Sequence, residues 1–250
     1  MPTGIVNTPN TLHPGLIRQS VFFSLVPRSL LQDMAEEFRW EEWEKDTYID
    51  PDVLTKKFCI LLDGQLEIKR INPDTGREVT LSVLHPGDSF DVISLLDNKP
   101  HDVILESLTG LKLMSVPMET MRHWLWTFPE LNQQFLPYLA SKMREQEELT
   151  TNIALHDTAT RLSRVLLQYI DKLNAYKGDQ DEAHKTLLIH GLSDEKLAHM
   201  VGTVRQVINK HLQHWKEQGV LDKKRNELII NDLEALKKEA GYVHSNLPPE

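Results

Sequence analysis

The sequence predicts an α+β protein, and three observations predict it. From Trp40 to Val116 short β-rich runs alternate with turn residues. An apolar helical pattern then runs from Pro129 to about Leu155. Leu192 to Ile230 carries two helical patterns meeting at Gly202, followed by two strand-like runs.

Composition narrows the class. The 250 residues are 40% hydrophobic and 26% charged, ordinary values for a globular chain with room for two domains. No apolar run approaches the roughly 20 residues of a membrane span. The start, MPTGIVNTPNTLHPG, lacks the positive and apolar regions of a secretory signal, so a cytoplasmic protein without membrane contact is expected. Cys59 is the sole cysteine and cannot form an internal disulfide; an iron–sulfur cluster, which takes four ligands, is not expected. No metal-ligand spacing, P-loop, HExxH, GxGxxG or Ser/His/Asp pattern occurs, so no enzyme is expected.

Taken in order, residues 1–14 are polar, Pro-containing and aperiodic, and read as a flexible tail. Leu30, Leu31, Met34 and Phe38 recur at helical spacing inside a helix expected over about Leu16–Phe38. Lys57–Leu62, Gln65–Ile71 and Arg77–Leu84 are strand-like, separated by Asp63-Gly64, Asn72–Gly76 and Pro86-Gly87-Asp88. Leu66 and Ile68, then Val79, Leu81 and Val83, alternate with period two, as in a sandwich or barrel. The domain spans about 15–128. Residues 129–157 then hold a long helix and a hinge; at 1.5 Å per residue the helix, to about Leu155, is a rod of about 40 Å from Pro129, or nearly 30 Å if Pro137, its one breaker, marks its start rather than a kink. Phe135, Leu139, Met143, Gln146, Leu149 and Ile153 line it, either as one side of a buried core or as a stripe pairing with a second copy. A further helix starts after His156, with Asp157 or Thr158 as N-cap, and Asn174–Lys185 reads as a loop.

Residues 158–250 hold the most informative segment. Ser193 is a good N-cap, with Asp194 and Glu195 in the first turn, where the helix dipole favours acids. Leu197, Ala198 and Val201 form an apolar face before Gly202, which tolerates a positive φ. The next helix turns Val204, Val207, Ile208, His211, Leu212 and Trp215 inward and carries Arg205, Gln206, Asn209 and Lys210 on its other face. It ends near Gly219. Lys223, Lys224 and Arg225 follow in a turn between two strands, a wing. Arg pairs with guanine and Gln or Asn with adenine in the major groove, so this pattern suits double-stranded DNA. The bland alternative is a solvated amphipathic helix pair. The net charge of −9 argues against a nucleic-acid partner, but DNA contact needs a local basic face rather than a basic chain.

The segment GTVRQVINKHL resembles the recognition helix of the cyclic AMP receptor protein and fumarate–nitrate regulator superfamily. FCILLDGQLEIKR and GREVTLSVLHPGDSF resemble that family's cyclic-nucleotide-binding barrel. The resemblance runs from about Val21 to Ala240. It implies a cyclic-nucleotide-binding-type β-roll, a long dimerisation helix, a hinge at Asp157 and a winged helix-turn-helix. By this resemblance the chain is a dimeric transcription regulator on an inverted-repeat operator, with Thr203, Arg205, Gln206, Asn209, Lys210, Lys223, Lys224 and Arg225 at the DNA. RNA polymerase is its partner where it activates.

The candidate effector pocket departs from the family pattern. Cyclic-nucleotide binders carry a Gly-Glu pair and then an Arg for the phosphate; here Asp91-Val92 and His101 or Asp102 stand there, within Phe90, Asp91, Val92, Ile93, Lys99, His101 and Asp102. Gln146 and Glu147 occupy the place that would face the purine. Cyclic AMP is therefore not expected as effector. Haem is not expected either, although His101, Cys59, His85 and Pro2 are the residue types it uses. Gas or redox sensing through haem or Cys59, and a regulatory module acting on a protein partner, are the alternatives.

Overall fold

A computed structural model describes residues 5–8, 14–18, 20–49, 51–177, 187–190, 192–224 and 227–241. The chain divides into two compact units, 1–146 and 147–250.

The N-terminal unit is built on two antiparallel sheets. One has the order β1 (Ile5–Thr8), β2 (Arg39–Trp43), β9 (Leu111–Pro117), β4 (Lys57–Asp63), β7 (Ser89–Phe90). The other has the order β3 (Tyr48–Ile49), β8 (Ile104–Ser107), β5 (Leu66–Ile71), β6 (Glu78–Leu84). Trp43, Cys59, Leu61, Leu111 and Leu113 from the first sheet meet Ile49, Leu66, Leu84 and Leu105 from the second in one buried cluster. The opposite face of the first sheet is buried too. Phe58, Ile60, Met114 and Val116 pack against α2 (Arg28–Glu37), α5 (Met118–Thr127) and the start of α6 (Pro129–Leu155). Burial on both faces explains why β4 and β9 read as near-continuous apolar runs rather than alternating ones. Phe22, in a 3-10 turn over Val21–Phe23, packs edge-to-face on Phe58, ring centroids 5.6 Å apart, and tilted against Phe135 at 5.4 Å.

Three expectations need correction here. The tail expected over 1–14 includes a strand: Ile5–Thr8 pairs with Trp43 back to Trp40; residues 1–4 and 9–13 lie outside the described residues. The helix expected over Leu16–Phe38 is α1 (Pro14–Ile17), the 3-10 turn and α2, because Pro27 removes a backbone donor and stops the helix from continuing. Phe135 is not an outward residue of α6. It is 2% exposed in its own unit's core, and Leu136, one position on, points outward at 61%. Pro137 lies inside α6 without ending it. Beyond it, Tyr138 and Lys142 bind the helix to the turn before β7: Lys142 Nζ lies 2.7 Å from Asp88, and the Ser89 N–H donates to the Tyr138 oxygen at 3.1 Å. Short α3 (Pro51–Leu54) and α4 (Val92–Asp97) complete this unit.

The C-terminal unit packs α7 (Thr158–Lys177), α8 (Asp194–Val201), α9 (Arg205–Glu217) and α10 (Leu233–Glu239) with a three-stranded sheet. That sheet has the order β10 (Leu187–His190), β12 (Glu227–Ile230), β11 (Leu221–Lys224). Leu162, Leu166, Leu197, Ile208, Leu212, Trp215 and Leu236 are all buried. Asp157 caps α7, accepting from Thr160 N at 2.9 Å. The loop expected over Asn174–Lys185 is helical as far as Lys177; its remainder lies outside the described residues.

Candidate functional site

Local rules build the C-terminal site. The Ser193 hydroxyl accepts from Lys196 N and starts α8. Gly202, at φ 71°, ends it with its N–H on the α8 carbonyls. Two residues later Val204 opens α9, so the helices meet at a tight turn. Val204 itself is 54% exposed, not inward as its apolar side chain suggested, because the N-cap position precedes the buried face. Ile208, Leu212 and Trp215 anchor α9 to the core, which turns Arg205, Gln206, Asn209 and Lys210 to solvent together. Thr203 is half-buried in the turn.

The wing contributes unequally. Lys224 is exposed, and Arg225 lies outside the described residues. Lys223 turns inward, with Nζ 2.5 Å from Asp194 and 3.2 Å from the Asn209 side-chain oxygen. These elements border an open cleft of about 320 Å³ lined by Ser193, Asp194, Glu195, Arg205, Lys223 and Glu227, among others.

His211 links α9 to α7, its Nε2 2.8 Å from the Thr158 hydroxyl. Burial holds its pKa below the ordinary imidazole value, Lys210 and His214 add to that, and Asp157 and Glu239 oppose it. The unfolded chain therefore takes up this proton more readily than the folded one. The resulting stability is complete above pH about 6.5 and is lost as pH falls below it. Calorimetry should show the C-terminal unit melting earlier between pH 7 and pH 5, with a smaller loss in His211→Gln. An identical pH dependence in that variant would show that another group titrates.

In the N-terminal unit the structure brings together two of the expected pocket residues. Asp91 caps α4: its carboxylate accepts from Ile93 N at 3.0 Å and Ser94 Oγ at 2.7 Å, and lies 3.0 Å from His101 Nδ1. Burial alone would raise the Asp91 pKa; the bonds from His101, Ser94 and Ile93 outweigh it and hold the carboxyl below its usual range. Of the two candidates for the second position, His101 therefore faces Asp91, whereas Asp102 is exposed. The remaining candidates disperse. Phe90 is barrel core beside Trp43, Val92 packs on the helical side, and Ile93 and Lys99 are exposed. Gln146 is exposed, its amide reaching the Leu81 carbonyl at 3.4 Å, and Glu147 is exposed.

Two arginines escaped the sequence reading. Arg122 on α5 donates to the carbonyls of Ser94 and Leu95, closing the C-terminal end of α4. Arg70 Nε donates to the Asp102 carbonyl at 2.8 Å. Both act across about 30 residues, and no local pattern announces them. Cys59 is 1% exposed, and burial, reinforced by the Glu41 carboxylate, pushes its thiol well above the ordinary range. Glu41 is itself held by Lys57 at 2.7 Å and by Ser115. Among the described residues no group of three or more His, Cys, Asp or Glu could hold a metal, and no helix is long and apolar enough to cross a membrane.

Known proteins match both units. Residues 46–126 fit the cyclic nucleotide-binding domain family and residues 160–239 the Crp-like helix-turn-helix domain family. A CRP-like cAMP-activated global transcriptional regulator of Mycobacterium tuberculosis is 27% identical over 184 residues, 74% of this chain and 80% of that one. A global nitrogen regulator of Synechococcus elongatus is 24% identical over 202 residues, 80% of this chain and 88% of its own. Among solved structures, a CooA variant from Carboxydothermus hydrogenoformans shares the fold at TM-score 0.67 and 18% identity, covering 88% of this chain and 95% of that one. The regulator CLP of Xanthomonas campestris does so at TM-score 0.67 and 17% identity, covering 82% and 99%. With a barrel of one family and a helix-turn-helix of the other in a single chain, this protein belongs to the CRP/FNR family of transcription regulators.

Proposed function

We propose that the protein is a homodimer that reads an inverted-repeat operator through α9. The observation that carries this is the shared exposure of Arg205, Gln206, Asn209 and Lys210 on a helix whose other face is buried at Ile208, Leu212 and Trp215. Arg205 donates two bonds to guanine, Lys210 meets a second guanine or a phosphate, and Lys224 meets the backbone. Dimerisation runs along α6, where Leu136, Met143 and Ile153 remain exposed at coiled-coil spacing. RNA polymerase is the further partner wherever the bound dimer activates. Selection from a random duplex library should enrich a two-fold symmetric site with half-site centres about one helical turn apart. On that site Arg205→Ala should cost about 1–3 kcal/mol and relax one base pair. Equal weakening on every sequence would assign Arg205 to the backbone instead.

The sensor unit, in this reading, does not take cyclic AMP as a tight activating ligand. The relatives permit this: one is named for cyclic AMP, whereas CLP is titled responsive to c-di-GMP. The supporting observation is Asp91, a carboxylate 7% exposed that already draws on His101, Ser94 and Ile93 N. A phosphodiester beside it would be one buried anion against another, with those donors committed. The burial of Cys59 likewise argues against redox sensing through its thiol. Calorimetry with cyclic AMP tests the effector reading; micromolar binding that raises operator affinity would overturn it.

A further inference from the structure

β11 is an edge strand of its sheet, bonded along one side to β12. Side chains alternate along a strand, so Lys223 shares a face with buried Leu221, while Asp222 and Lys224 take the other and are exposed. The face that Leu221 anchors to the core is thus continued toward the wing tip by a cation. Lys223 Nζ lies 2.5 Å from Asp194 at the start of α8, and it also donates to the Asn209 side-chain oxygen on α9 at 3.2 Å. The second bond is exposed and leaves that oxygen room to accept from a base. The first is the stronger tie. The Asp194 side chain is 11% exposed and that of Lys223 30%, so the pair is partly shielded from water. The Ser193 hydroxyl caps α8, which leaves the Asp194 carboxylate to Lys223.

Granting the proposed DNA-reading role of the C-terminal unit, on which this rests, we infer that Lys223 is a positioning residue for the wing: its ion pair with Asp194 ties β11 to α8 and sets Lys224 against the DNA backbone. A lysine that neutralises a carboxylate adds no net charge to a surface. Of Asp194, Lys223 and Lys224, it is therefore Lys224 that supplies the attraction for a phosphate. Lys223 acts through Lys224 and makes no phosphate contact of its own, although the two are neighbours in sequence and carry the same charge.

The test is a double-mutant cycle on the full chain. Library selection gives the operator, and titrations over a range of salt give the affinity and its salt slope. In the wild type, Lys224→Met should weaken binding several-fold and lower the slope by about one, as losing one phosphate contact does. With Lys223→Met or Asp194→Asn already in place, Lys224→Met should change affinity and slope little. Lys223→Arg keeps the ion pair and should restore the full cost. Asp194→Asn keeps the Ser193 cap and adds positive charge, so a general electrostatic effect would tighten binding and leave the cost of Lys224→Met as it was. Asp194→Asn with Lys223→Met carries the wild-type net charge and no orphaned partner, and should behave as either variant does toward Lys224→Met. A cost of Lys224→Met that is the same in every background overturns the inference alone. Lys223 is then a phosphate contact if Lys223→Met itself lowers the slope by about one, and a residue of stability if it lowers only the melting temperature. A wild type indifferent to Lys224→Met overturns it too, because the wing then sets no cation against the backbone. Failure of the library to enrich any sequence overturns the DNA-reading role, and this inference with it.

Discussion

Gly64→Ala is expected to destabilise the N-terminal unit by about 3–5 kcal/mol, a loss of roughly 10 °C or more in melting temperature. Gly64 turns the chain from β4 into β5 at φ 92°. A Cβ there would lie 2.4 Å from the Gly110 carbonyl oxygen and 2.7 Å from both Leu111 and Thr109. The first of these is backbone and cannot rotate aside. The same contact holds two turns together, since Gln65 N donates to Thr109 Oγ1 and Leu108 N to the Gln65 carbonyl. Gly76 provides the comparison. It also has a positive φ, 65°, but nothing lies within 4 Å of its Cβ position. Gly76→Ala should therefore cost only the conformational part, about 1–2 kcal/mol. Thermal melts of both variants separate the two contributions, and equal losses would show that the backbone at Gly64 gives way freely.

Met143→Glu is expected to convert the proposed dimer to a monomer of 28.9 kDa by light scattering, where the wild type should run at twice that mass. Met143 is 66% exposed, seven residues after the exposed Leu136. Seven residues return a helix to the same seam, so in a paired helix two glutamates would meet across the axis in an apolar setting. Each unit keeps its own buried core, so the melting temperature extrapolated to low concentration should hardly move. Operator affinity should fall by roughly a hundredfold or more, because the second half-site no longer benefits from tethering. A variant that remains dimeric would place the interface elsewhere, and a monomeric wild type at micromolar concentration would end the dimer reading.

What the sequence disclosed follows the range of each signal. Proline at Pro129, the N-cap at Ser193 and glycines at Gly202 and Gly219 act on their immediate neighbours, and the elements they delimit stand where those residues put them. Period-two alternation located β5 and β6 to within a residue. Pairing across distance left no local trace. β10 is called into the sheet by β12, forty residues away, and β1 by β2. Phe135 and Leu136 are adjacent and equally apolar, so packing from distant residues, Phe22 on Phe135 among them, decides which faces inward. Lys223 looked like one more cation of a basic turn until Asp194, 29 residues earlier, was found beside it. The Asp91 and His101 pairing is half legible: the sequence marks both residues, but not that each occupies the other.

Trp215, buried at 4% exposure in the C-terminal unit, has an optical consequence. Trp40, Trp43, Trp124 and Trp126 all precede residue 146, so Trp215 is the one indole of residues 147–250. Its emission rises from a dry core, with the His211 ring 6.3 Å away, whereas Trp126, 89% exposed, emits from water and is open to dissolved quenchers. Emission from the whole chain is thus dominated by one unit, and the difference between it and a Trp215→Phe chain isolates the other. A chain of two units need not unfold in one step, and this placement of indoles lets fluorescence assign each step to the unit that makes it.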